Sequence, residues 1–319
     1  MAARVTKVAI VQAEVASDLQ QGLELTRGKG LEAAEAGAEL IVFPETWIPG
    51  YPAWLDVCRD AALWDYAPVK QVFAQIAENS VVVPSPSFDH LSETARRCGA
   101  TLVVGVSERV EQGIGRLTLY NSILTIGPDG RLLNHHRKLM PTYTERLIWG
   151  HGDADGLQSV ETPAGQVGAL ICWEHWMPLV RQGMHDSGED IHVAVWPTVN
   201  EMHQIASRHY AFEGRCYVLA SGSLMRASSL PSALEPHPDR VHDSNDWVLR
   251  GGSAIIGPDG RYVVEPVYER AEILIADLDL SRCREEDMTL DVTGHYQRRD
   301  LFEFRIERLQ RGGGTASER

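Results

Sequence analysis

Two stretches of this chain repeat one another. Ser122 to Arg131 reads Ser-Ile-Leu-Thr-Ile-Gly-Pro-Asp-Gly-Arg, and Ser253 to Arg261 reads Ser-Ala-Ile-Ile-Gly-Pro-Asp-Gly-Arg. In each, an apolar β-prone run meets a Pro that presets φ and a Gly that tolerates positive φ, the marks of a tight turn between strands. A repeated hairpin predicts two sheet-forming halves. We expect them within one domain over residues 1–310, followed by a disordered tail, 311–319, that carries three consecutive glycines.

The remaining pattern predicts an α/β protein. Val5 to Ala13 reads as a strand. Asp18 caps a following helix, with Leu19, Leu23, Leu31 and Ala34 as its buried stripe and Gly37 as its end. Glu39 to Phe43 is a second strand, stopped at Pro44. This β–α–β order places a helix on one face of a sheet. The order recurs in the helix Phe88 to Cys98, ended by Gly99, and the strand Thr101 to Val106. In the second half, Val167 to Ile171 is a strand, Pro178 to His185 begins a helix, and Ile191 to Trp196 is a strand stopped by Pro197. Ser228 to Asp246, rich in Ser, Pro, Asp and His, reads as a long loop serving as lid, oligomer contact or mobile insertion.

Composition removes several function classes. The 44 acidic residues outnumber the 30 basic ones, for a formal net charge of −14. A nucleic-acid partner needs clustered Lys and Arg, so none is expected. No run approaches the roughly 20 apolar residues of a membrane span, and Met1 to Gln12 lacks an apolar secretory core. A cytoplasmic protein without a membrane partner is expected. The cysteines Cys58, Cys98, Cys172, Cys216 and Cys283 are odd in number and widely spaced, which predicts free thiols rather than disulfides or a zinc site.

Three segments carry reactive groups just past a strand. They are Phe43-Pro44-Glu45-Thr46-Trp47, His136-Arg137-Lys138-Leu139-Met140-Pro141 and Ile171-Cys172-Trp173-Glu174. Strand ends are where α/β folds assemble sites, because the loops there converge. Taken singly each has a plainer reading: Glu45 as a cap or surface charge, Lys138 as part of a solvated positive face, Cys172 as inert core. His135-His136 and the stretch His151 to Asp155 lack metal-ligand spacing and read as turn and loop residues.

Together the three segments resemble the signature motifs of the nitrilase superfamily, in that family's Glu, Lys, Cys order. Glu145-Arg146-Leu147-Ile148-Trp149-Gly150 and Asp291-Val292-Thr293-Gly294-His295-Tyr296 are similar to the nitrilase branch within it. The resemblance covers Val5 to Phe304 and implies a four-layer αββα sandwich. It implies homodimers, or larger spiral homo-oligomers, built across helices beside the site. It also implies conversion of a small organic nitrile to an acid and ammonia, with no cofactor and no metal.

That chemistry assigns Cys172 as nucleophile, Glu45 as general base and Lys138 as the cation facing developing charge, with the Trp173 amide as second donor. Glu145 matches a second family glutamate, expected either to orient Lys138 and water or to serve as a structural ion pair. Tyr51, Trp54, Trp173, His175, Trp176 and Trp196, together with Trp47, are candidates for an apolar substrate wall, core packing being the alternative for each. Other readings are an amidase or carbamoylase of the same superfamily, a papain-like enzyme using His175 as base, and a non-catalytic assembly protein.

Overall fold

The computed structural model describes residues 4–308, so the expectation for the tail 311–319 lies outside the described residues. The first half supplies β1 (Val5–Gln12), β2 (Leu40–Val42), β3 (Thr101–Arg109), β4 (Leu119–Ile126) and β5 (Leu132–Arg137). The second supplies β6 (Val160–Thr162), β7 (Gly165–Ile171), β8 (Ile191–Val195), β9 (Tyr217–Ser221) and β10 (Leu224–Arg226). β11 (Trp247–Ile256), β12 (Tyr262–Tyr268) and β13 (Glu272–Asp279) follow.

One sheet has the order β13-β1-β2-β3-β4-β5, and the other β10-β11-β9-β8-β7-β6, with β12 added on β11. The two repeated hairpins are β4–β5 and β11–β12, one in each sheet. Their turns match in detail: Gly127 and Gly257 each donate to the carbonyl of the following Arg, and Gly130 and Gly260 sit at φ 78° and 75°. β13 returns from the second half to pair antiparallel with β1.

The sheets pack face to face. Val8, Ile10, Leu40, Val42, Val103 and Ile123 of one share a buried cluster with Val167, Ala169, Ile171, Val193 and Val195 of the other. The opposite face of the first sheet is covered by helices Leu19–Glu35 and Pro86–Cys98. Helix 19–35 starts where expected, with Asp18 accepting from the Gln21 amide at 2.9 Å. Its buried stripe is Gly22, Leu23, Thr26, Gly30 and Ala33, with the expected Leu19 and Ala34 packed part-buried against the same core, and the expected Leu31 falls outside it. Small residues let it lie close: a Cβ on Gly30 would stand 3.1 Å from Cys98 Sγ. Beyond the second sheet, Pro178–Asp186 and Glu201–Gly214 complete the layers. Among the described residues no helix is long and apolar enough to cross a membrane.

Candidate active site

Glu45, Lys138 and Cys172 follow the ends of β2, β5 and β7, and the sheet packing brings their loops together. Phe43 still pairs with β3, donating to the Val103 carbonyl at 2.8 Å, before the chain turns through Pro44 and Glu45. Gly105 makes this passage possible, because a Cβ there would stand 2.1 Å from the Pro44 carbonyl oxygen. Trp47 anchors the turn in the core through an indole bond to Thr26 at 2.8 Å, so it serves packing rather than a substrate wall.

The Lys138 ammonium lies 3.1 Å from Glu45 Oε1 and 2.7 Å from Glu145 Oε2, with all three side chains buried. Asn121 also donates to Glu45 Oε1, at 2.7 Å, while Glu45 Oε2 is buried and unpartnered among the described residues. One carboxylate oxygen is thus fixed and the other is free to take a proton. Glu145 is held in turn by the Tyr51 hydroxyl and the Thr142 amide, each at 2.9 Å.

Cys172 follows β7 directly and opens a short 3-10 turn, Cys172–Trp176. Its φ of 52° is left-handed, a strained setting for a side-chain-bearing residue that costs of order 1–3 kcal/mol. Atoms of Cys172, Glu45 and Glu145 all lie within 4.8 Å of one another. Such a triad could hold a metal ion, but the Lys138 ammonium already stands between the two carboxylates and pairs with both.

Electrostatics follow from burial. Desolvation pushes the Glu45 carboxyl up to about 7, against the pull of Lys138. Burial, then the Glu45 charge, pushes the Cys172 thiol well above its usual value, with Lys138 and the Trp173 amide opposing. For Lys138, burial works to lower the pKa, but Glu45, Cys172 and Glu145 outweigh it and hold the amine protonated. At rest a protonated thiol stands beside a carboxyl raised to about 7 and a protonated amine.

A chain with this fold and this buried Glu-Lys-Cys set matches the carbon-nitrogen hydrolase family model over residues 7–286. The chain belongs to the carbon-nitrogen hydrolase family. It is 39% identical over 306 residues to an aliphatic nitrilase of Sinorhizobium fredii (strain HH103), spanning 94% of this chain and 95% of that protein. An arylacetonitrilase of Hypocrea virens is 36% identical, over 94% of this chain and 91% of its own length. Among solved structures, Saccharomyces cerevisiae Nit3, a member of branch 10 of the nitrilase superfamily, shares the fold. It has a TM-score of 0.70 at 21% identity, covering 92% of this chain and 97% of that one. The expected α/β sandwich of two sheets flanked by helices is therefore the fold of this hydrolase.

The aromatic candidates divide. Tyr51 and Trp54 line a cavity of about 380 Å³ with Pro49, Val72, Ile76 and Leu230. Tyr51 connects this cavity to the cluster through its bond to Glu145. The loop 228–246 reaches the same cavity with Ser229, Leu230 and Pro231, and it is tied down where His237 donates to the Val57 carbonyl at 2.7 Å. Trp173 and Trp176 are partly exposed and pack edge to face at 5.4 Å. Trp196 is wholly buried, stacked between the rings of His175 and His203. His175 is a correction. Its nitrogens are spent on the Cys172 carbonyl (2.7 Å) and on His192 (3.0 Å), so it is buried as a support behind Cys172.

His135 and His136 are a second correction, for they lie on β5 and not in a turn. His136 bonds Glu174 at 2.9 Å. Glu174 also accepts the amides of Leu139 and Ile171, each at 2.8 Å, and these partners hold its carboxyl below the usual range despite burial. Sequence reasoning passed over Glu174, though it stands inside the Cys-Trp-Glu-His motif. Asn121 had no signal beyond its place at the head of the first repeated hairpin.

Proposed function

We propose that this hydrolase is a nitrilase that converts a small organic nitrile to its carboxylic acid and ammonia on Cys172. The observation that carries the reading is the buried contact of Lys138 with both Glu45 and Glu145, with the Cys172 thiol alongside. Similarity to nitrilases at 36–39% identity across nearly the whole chain supports the substrate class. The pairing of β13 with β1 supports taking the chain as one hydrolase domain.

Glu45 takes the thiol proton as Sγ bonds to the nitrile carbon and passes it to the nitrile nitrogen as charge develops there, which gives a thioimidate and restores the carboxylate. Lys138 stabilises that charge in a dry site, where a fixed cation acts most strongly. Glu45 next accepts a proton from water, which adds to the same carbon. Protonation of the nitrogen lets ammonia depart and leaves a thioester. A second water, activated in the same way, releases the acid and restores the thiol. Two waters are consumed for each acid and ammonia formed. Glu145 orients the Lys138 ammonium, and Tyr51 orients Glu145.

Tyr51 and Trp54 begin the wall for the substrate's organic group, and Trp173, Trp176 and Trp196 shape the region beside the nucleophile. The further proposals are a cytoplasmic location and assembly as a homodimer or a larger spiral homo-oligomer. Ammonia release from aliphatic, aromatic and arylacetic nitriles and from the matching amides tests the reaction. Turnover of nitriles to acids supports it, whereas turnover of amides alone makes the protein an amidase.

A further inference from the structure

A line of buried polar side chains leads away from the backbone of Cys172. The Cys172 carbonyl meets His175 Nδ1 at 2.7 Å, and His175 Nε2 meets His192 Nε2 at 3.0 Å. His192 Nδ1 then meets Glu189 Oε1 at 2.7 Å, and the Tyr210 hydroxyl donates to Glu189 Oε2 at 2.7 Å. The side chains of His192 and Glu189 are 0% and 1% exposed. None of these groups belongs to the Glu-Lys-Cys set. The fold makes room for them: a Cβ on Gly168 would stand 1.8 Å from Glu189 Oε1.

The chemistry of the atoms fixes the direction of this line. A carbonyl only accepts, so His175 Nδ1 carries a proton. Burial pushes His175 down to about 3 and His192 well below its ordinary value, so both rings are neutral. His175 Nε2 is therefore bare and accepts from His192 Nε2–H. That leaves His192 Nδ1 bare, and it takes its bond from a protonated Glu189 Oε1. Burial favours that proton by raising the Glu189 carboxyl to about 7, against the pull of His185 and Tyr210. Removing it reverses the line and sets the His175 Nδ1 lone pair against the Cys172 carbonyl. The other titratable neighbours are His185, 3.9 Å from Glu189 Oε2, and Glu213, which holds His185 at 3.2 Å and Arg181 at 2.7 Å. Glu174 and His136 act on His192 only through their charges.

We propose that Glu189 and His192 are positioning residues for the nitrilase reaction: through His175 they hold the Cys172 carbonyl, and with it the left-handed backbone that presents the thiol. The proposal rests on the reading of Cys172 as nucleophile. The Trp173 amide that bonds the sulfur belongs to the same peptide unit as that carbonyl. Holding the oxygen therefore fixes where the N–H points.

The test compares the full-length protein with its Glu189→Gln and Glu189→Leu variants. Readouts are kcat and KM for whichever nitrile is turned over, the rate of Cys172 alkylation by iodoacetamide, and Tm. Gln preserves the line, its amide N–H donating to His192 and its oxygen accepting from Tyr210, so kcat stays within about threefold of wild type. Leu removes the donor, and kcat falls about 10–100-fold at nearly constant KM, with slower alkylation. Wild-type kcat in the Leu variant, or equal impairment of both variants, overturns the proposal. Should the Leu variant not fold, the Gln variant decides alone, since its line cannot reverse. Its kcat at about pH 9 relative to about pH 7 then exceeds the wild-type ratio, and equal ratios overturn the proposal. If the wild type turns over no nitrile, the function reading fails on its own, and the alkylation rates still test the positioning role.

Discussion

The Glu174 carboxylate accepts the backbone amide of Leu139 at 2.8 Å, across 35 residues of chain. Its second oxygen accepts the Ile171 amide, so one side chain ties the residue after Lys138 to the residue before Cys172. His136 completes the set. All three partners are donors, which makes Gln a poor substitute: either orientation of its amide points an N–H₂ at a backbone N–H. Glu174→Gln is expected to lose kcat about 10–100-fold and to lower Tm, since breaking a buried pair costs about 3–5 kcal/mol. Thermal unfolding and steady-state kinetics check this. Wild-type values for both would remove Glu174 from the positioning of the site.

Lys138 pairs with two buried carboxylates at once. Lys138→Met strands them, and they then resist ionisation. Activity is expected to vanish, and Tm to fall more at about pH 8 than at about pH 5, where proton uptake by Glu45 relieves the stranded charge. A Tm loss independent of pH, followed by calorimetry across that range, contradicts the charge balance described for the cluster.

In the proposed mechanism Glu45 must be ionised to take the thiol proton, and burial raises it to about 7. As pH falls through that value the base is lost, so kcat/KM is expected to decline on the acid side with an apparent pKa near 7. A pH–rate profile measures it. An acid limb near the ordinary carboxylate value of about 4 means that the base is not in this desolvated setting.

The Tyr51 hydroxyl donates to Glu145 at 2.9 Å while its ring lines the neighbouring cavity. A hydrogen bond to a charged group contributes about 1.5–3 kcal/mol. Tyr51→Phe is expected to lower kcat roughly tenfold or more while KM for small nitriles changes little. A change in KM alone places Tyr51 in substrate binding and not in holding Glu145.

The sequence carried the parts of this site that depend on local chemistry. The Pro-Asp-Gly turns showed both hairpins, and the positions of Glu45, Lys138 and Cys172 just past strand ends showed where loops converge. Side-chain packing that depends on distant neighbours was not legible. Leu31 fits a helical stripe as well as Gly30 does, yet the close approach of Cys98 selects the glycine. His175 beside a nucleophile suggests a substrate contact, but His192, brought in by β8, turns it into a backbone support. The helix Ala67–Glu78, whose Val72 and Ile76 line the cavity, was not read at all. His135-His136 looked like a turn because polar residues on a strand are uncommon unless buried partners meet them, as Glu108 and Glu174 do here.

The most direct measurement is a rapid acid quench of the wild-type protein during nitrile turnover, with peptide mass mapping and ammonia assayed in parallel. Expected is an added mass, equal to the thioimidate or thioester of the nitrile used, on the peptide holding Cys172. Cys172→Ala is expected to show neither adduct nor ammonia. Ammonia release by Cys172→Ala, or an adduct on another cysteine, contradicts the assignment of Cys172 as nucleophile.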